Sequence, residues 1–130
     1  MPATPENLLQ RHRARRKELM REYLQLLERQ EQAIHARSLD QLARTIERER
    51  ELLAAMEDRH RTIRALNPDA PDPAFERDRA AAVNRQARNR ELLADYMSDV
   101  RERIHGVQIP RRARSVYRMR DAGGMIDLTT

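Results

Sequence analysis

The stretch LDQLARTIERERELLAAMEDRHRTI, residues 39–63, places apolar side chains at alternating three- and four-residue steps: Leu39, Leu42, Ile46, Leu53, Met56 and Ile63, with Glu49 and His60 at the two remaining positions of the row. A seven-residue repeat of this kind keeps one narrow apolar seam on a single face of an α-helix, and the seam stays exposed unless another long helix lies beside it. The positions between are mostly Arg, Glu, Gln and Ala. The segment therefore specifies helix-on-helix packing and points to binding before chemistry. Glu49 and His60 are expected at the edge of the seam, snorkelling or pairing with neighbours.

Working outward, the chain divides at polar punctuation. Ser38 can cap the helix that follows, with Gln41 at its third position completing a weak capping box, though no Gly or Pro enforces the break and a kinked continuous helix is the alternative. Upstream, Thr4 as N-cap and Pro5 at the first helical position open a helix whose amphipathic face is good from Leu19 to Ile34. Between Arg11 and Lys17 the only apolar residue is Ala14, so that turn is expected to be solvated and to fray. Downstream, Pro68, Pro71 and Pro73 end the second helix, because proline lacks the amide donor and clashes with the preceding turn. A third helix then carries Phe75, Ala82, Gln86, Asn89, Leu93, Tyr96, Val100, Ile104 and Val107 on its seam, and Gly106 supplies its stop. The spacing predicts helices over about 5–36, 39–66 and 74–106. Together they make one all-α domain, residues 1–107: an elongated antiparallel three-helix bundle, or coiled-coil hairpin, followed by a flexible basic tail over 108–130.

Composition supports that reading. Apolar residues make up 39% of the 130, aromatics 3% and charged residues 36%, which fits long two-faced helices and not a thick globular core. The net charge of +5 is concentrated at the ends: residues 1–20 and 111–130 each carry +3, and the span between them −1. Cysteine is absent, which excludes disulfides, thiolate metal sites and thiol catalysis. His12, His35, His60 and His105 do not fall at metal-ligand spacing, and there is no glycine-rich phosphate loop or nucleophile elbow. No enzyme activity, cofactor, metal or small-molecule substrate is expected. Neither a membrane-spanning stretch nor a signal-peptide pattern is evident, so a cytoplasmic protein is expected.

Several features in order resemble the FlgN family of flagellar export chaperones. Leu26-Leu27-Glu28-Arg29-Gln30-Glu31-Gln32-Ala33-Ile34, a short polar break and Leu39-Asp40-Gln41-Leu42 are similar to the family's helix-break-helix opening. Glu47-Arg48-Glu49-Arg50-Glu51-Leu52-Leu53 resembles its charged run into a leucine pair. Asn84-Arg85-Gln86-Ala87-Arg88-Asn89-Arg90-Glu91-Leu92-Leu93 resembles its asparagine-containing third helix, and Tyr117 with Gly123 and Gly124 its tail. The resemblance covers about residues 19–124. It implies a small cytoplasmic helical chaperone that binds the terminal helical segment of hook-associated, hook–filament junction clients (FlgK/FlgL-like). Such a chaperone prevents their early assembly and delivers them to the export gate of the flagellar type III secretion system.

Recognition of that kind is helix-in-groove docking. The residues able to do it are Leu92, Leu93, Tyr96, Met97, Val100, Ile104 and Val107, which are spread too widely around the helix for one seam; some are expected to face away from the bundle. By resemblance, Tyr117 would be the tail residue nearest the export gate. Asn89, at a seam position, fits either helix register or a client contact. Two other readings compete. The Arg-rich ends and a sequence pI near 10.6 would suit nucleic acid, although few aromatics are available for base stacking. The heptads would also serve a homo-oligomeric coiled-coil adaptor.

Overall fold

A computed structural model of the chain describes residues 4–69 and 71–104; the expected stop at Gly106, Val107, Tyr117 and the expected tail lie outside the described residues. The architecture is all-α. Helix α1 spans Pro5–His35, α2 Leu39–Leu66 and α3 Pro73–Arg103, so each rod is on the order of 45 Å long at 1.5 Å per residue. All three begin on a side-chain cap: Thr4 Oγ1 accepts from the Asn7 amide, Ser38 Oγ from Gln41 and Asp72 Oδ1 from Phe75. Pro5 and Pro73 occupy first-turn positions where a missing amide donor is harmless.

The α1–α2 turn is closed by backbone geometry that usually recruits glycine. The Ser38 amide donates to the Ala33 carbonyl and the Arg37 amide to Ile34, the paired bonds of a Schellman ending, and Arg37 takes φ 54°. Arg37 is the only non-glycine residue with positive φ among the described residues.

Contacts between helices set their directions. Glu22 pairs with Arg48, Tyr23 with Glu49 and His12 with Arg59, so α2 runs antiparallel to α1. Arg16 pairs with Asp72, Asn89 bonds the Leu27 carbonyl and Arg37 pairs with Asp99, so α3 runs parallel to α1. α1 is the shared element. It packs along both α2 and α3, whereas α2 and α3 meet only sparsely.

The buried interior falls into two apolar clusters. One joins Leu19, Met20, Tyr23, Leu26 and Leu27 of α1 to Leu52, Leu53 and Met56 of α2 and Ala82 of α3. The other joins Ala33, Ile34, Leu42 and Ile46 to Leu93 and Met97. Thr45 and Leu52 are buried as well, so the α2 face is wider than a two-position seam.

Two expectations need correction here. The turn around Arg11–Lys17 is continuous helix, and Arg16 within it is only 4% exposed; its charge is met by groups from α2 and from the start of α3, which a reading of α1 alone does not contain. Glu49 is fully buried at the centre of the interface and not at its edge, because α1 and α3 place hydroxyl and amide donors around it.

Candidate functional site

The third helix carries the expected client-binding residues, and the structure separates them. Leu93 and Met97 are each 1% exposed and belong to the second apolar cluster, so they are core residues while α3 is docked. Leu92 and Tyr96 are half-buried and pack against that cluster from its flank. Val100 and Ile104 are half-buried in the last turns. A strict heptad would put Tyr96 on the seam; the helix places Met97 there, because 3.6 residues per turn drifts from a 3.5-residue repeat over several turns.

Asn89 is 1% exposed, and its Nδ2 donates to the Leu27 carbonyl and to Gln30 Oε1, both at 3.0 Å. It thus ties α3 to α1 in one register. Next to it lies a polar layer that divides the two apolar clusters. Tyr23 Oη donates to Glu49 Oε2 at 2.7 Å, and Gln30 Nε2 and Gln86 Nε2 lie 3.5 Å from the same carboxylate. Gln86 Nε2 also reaches Tyr23 Oη at 3.3 Å. Burial pushes the Glu49 carboxyl above its ordinary range, opposed by the three donors and by the charge of Arg90. Burial and the neighbouring carboxylate likewise raise the Tyr23 phenol, which stays protonated as a donor.

At each end of α3 stands a clamp of the same design. Arg16 of α1 pairs with Asp72 at 3.0 Å and lies over the Phe75 ring, 3.8 Å from its centroid. Arg37, in the turn, pairs with Asp99 and lies over the Tyr96 ring at 5.4 Å. Arg16 and Arg37 are separated by the same number of residues as Phe75 and Tyr96, as two parallel helices in register require. Arg16 also donates to His60 Nδ1 at 3.1 Å, which needs a neutral imidazole, and burial followed by the Arg16 charge lowers the His60 pKa. A cleft of about 290 Å³ beside this clamp is lined by Arg13, Lys17, Asp72, Phe75 and Asp78 among others; its two cations and two carboxylates balance, so it does not select an anion.

Among the described residues, no group of three or more His, Asp or Glu side chains is placed to hold a metal ion, and no helix is long and apolar enough to cross a membrane. The polar layer was missed in the sequence, although its signal was there: Glu49, Gln86 and Asn89 each interrupt an apolar seam. The clamps left only a faint trace, a carboxylate three residues from an aromatic at each end of α3. No family model, curated protein or solved structure matches this chain.

Proposed function

We propose that this chain is a helix-capturing chaperone of the kind the FlgN resemblance implies. It holds an amphipathic terminal segment of a hook-associated client, keeps that segment from assembling early and presents it to the flagellar export gate. The observation that supports this reading is the distal half of α3. Asp99 is level with Arg37 in the α1–α2 turn, so Val100 and Ile104 follow at and beyond the end of the hairpin, and with Leu92 and Tyr96 they keep apolar surface partly uncovered. Several arginines of the body, Arg48, Arg61, Arg85 and Arg88, pair with neighbouring carboxylates, which weighs toward apolar capture over nucleic-acid binding.

Isothermal titration against C-terminal helical peptides of hook–filament junction proteins tests the reading. The expected result is a one-to-one complex with negative heat-capacity change that is largely insensitive to salt. Tyr96→Asp and Val100→Asp should abolish it while leaving the helical circular dichroism intact. Absence of peptide binding, together with strongly salt-dependent binding to DNA or RNA, overturns it in favour of the basic ends.

A further inference from the structure

We propose that α3 is a releasable cover, and that the face it occupies on the α1–α2 hairpin accepts an amphipathic helix from a partner, recognised by the two arginine clamps. This goes beyond the helix-capture reading: the partner helix takes the place of α3 on the hairpin, a face separate from the Leu92, Tyr96, Val100 and Ile104 flank of α3.

The division of the core carries the first part. In the larger cluster α3 contributes only Ala82 and the half-buried Phe75, whereas the hairpin brings Leu19, Leu26, Leu27, Leu52, Leu53 and Met56. The next buried positions of α3 are Gln86 and Asn89, so its middle is held by polar contacts and not by apolar area. The Glu49 carboxylate keeps donors without it, since Tyr23 and Gln30 of α1 both bond it. Departure of α3 therefore leaves no buried carboxylate bare of donors. The Arg16 clamp is itself imperfect: Arg16 Nε is buried with no hydrogen-bond partner.

Charge complementarity identifies the occupant. The hairpin presents Arg16 and Arg37 about six helical turns apart, each able to pair a carboxylate and cover a ring. The helix that fits carries a carboxylate and an aromatic three residues apart at both ends, carboxylates outermost, with a small residue and an amide between them. α3 itself meets this description with Asp72, Phe75, Ala82, Gln86, Tyr96 and Asp99.

The test uses the full chain and a labelled peptide of residues 72–104 as the probe. In the host, Asp72→Asn and Asp99→Asn loosen the resident helix while keeping an N-cap and leaving both hairpin arginines free for the peptide. Because the chain has no cysteine, Glu31→Cys and Arg88→Cys, joined by a cleavable bismaleimide, lock α3 in place. Circular dichroism verifies that each host is folded. The peptide should bind the loosened host at least tenfold more tightly than the wild-type chain, lose binding when α3 is locked and regain it when the linker is cut. Failure to bind the loosened host, or equal binding to the locked one, overturns the proposal. Binding that survives Asp72→Asn and Asp99→Asn in the peptide overturns the clamps as its recognition elements. Binding of this peptide but of no hook-protein peptide would remove the client assignment and leave the exchange standing.

Discussion

Arg16 and Asp72 meet at 3.0 Å with 5% of the arginine side chain exposed, and they join the middle of α1 to the residue that caps α3. Arg37 and Asp99 make the same kind of pair at the opposite end with 41% and 48% exposed. Burial should therefore separate two clamps of one design. Replacing Asp72 with Asn keeps the cap but leaves a buried guanidinium facing a neutral group, an expected loss of about 2 kcal/mol. Asp99→Asn removes a solvated pair and should cost about 0.5 kcal/mol. Urea unfolding of the two variants measures both; equal losses would mean that burial does not govern the clamps.

Arg37 gives a second test at the same turn. Its φ of 54° is one that glycine adopts freely and that a side chain with a Cβ resists by roughly 1 kcal/mol. Arg37→Gly relieves that strain and gives up only the exposed pair and ring contact. The variant should be more stable than the parent by a few tenths of a kcal/mol, about the difference between those two effects. Thermal melts that instead drop by several degrees would show the second clamp to be stronger than its exposure implies.

Glu49 predicts a pH dependence of stability. Its folded pKa lies above the ordinary 4.5, chiefly through burial, so it releases its proton less readily in the folded chain than in the unfolded one. Its contribution to stability is complete below about pH 4.5 and is lost as pH rises through the folded value. Glu49→Gln stays neutral and keeps an acceptor for Tyr23. The stability of Glu49→Gln relative to the parent should become more favourable as pH rises above 4.5 and level off above the folded value, read as melting temperature from pH 4 to pH 8. A flat difference would show that the carboxyl titrates in the fold as it does in water.

His60 should act with the opposite sign. It faces Arg16 from α1, Arg79 from α3, and Glu57 and Arg64 on its own helix, and its folded pKa is lowered from 6.5, by burial first and by Arg16 next. Its contribution is complete above about pH 6.5 and is lost as pH falls through the folded value. His60→Asn retains an acceptor for Arg16 without a titrating ring. It should remove the part of the acid-side destabilisation that begins below pH 6.5, which melts at pH 7 and pH 5 compare directly. An unchanged acid slope would place that loss on other groups.

Much of the fold was legible in the chain. The heptads of residues 39–63, the caps at Thr4 and Ser38 and the prolines after Leu66 are local signals, and the helices begin and end within a few residues of where those signals put them. The site was less legible. Tyr96 and Met97 are neighbours in sequence, and only the accumulated rotation of α3 against α1 and α2 turns Met97 into the core and leaves Tyr96 on the flank, beside Arg37.

What this sequence determined by itself is therefore the helices, their lengths and their apolar faces, because periodicity, capping and proline act over a few residues. The tertiary structure alone decided which polar side chains meet. Tyr23, Glu49, Gln86 and Asn89 form one layer, and Arg16 is buried between His60 and Asp72, only after three helices have aligned residues that are far apart in the chain. A buried charge or amide is tolerated where its partners converge, and convergence is a property of the packed helices and not of any one of them.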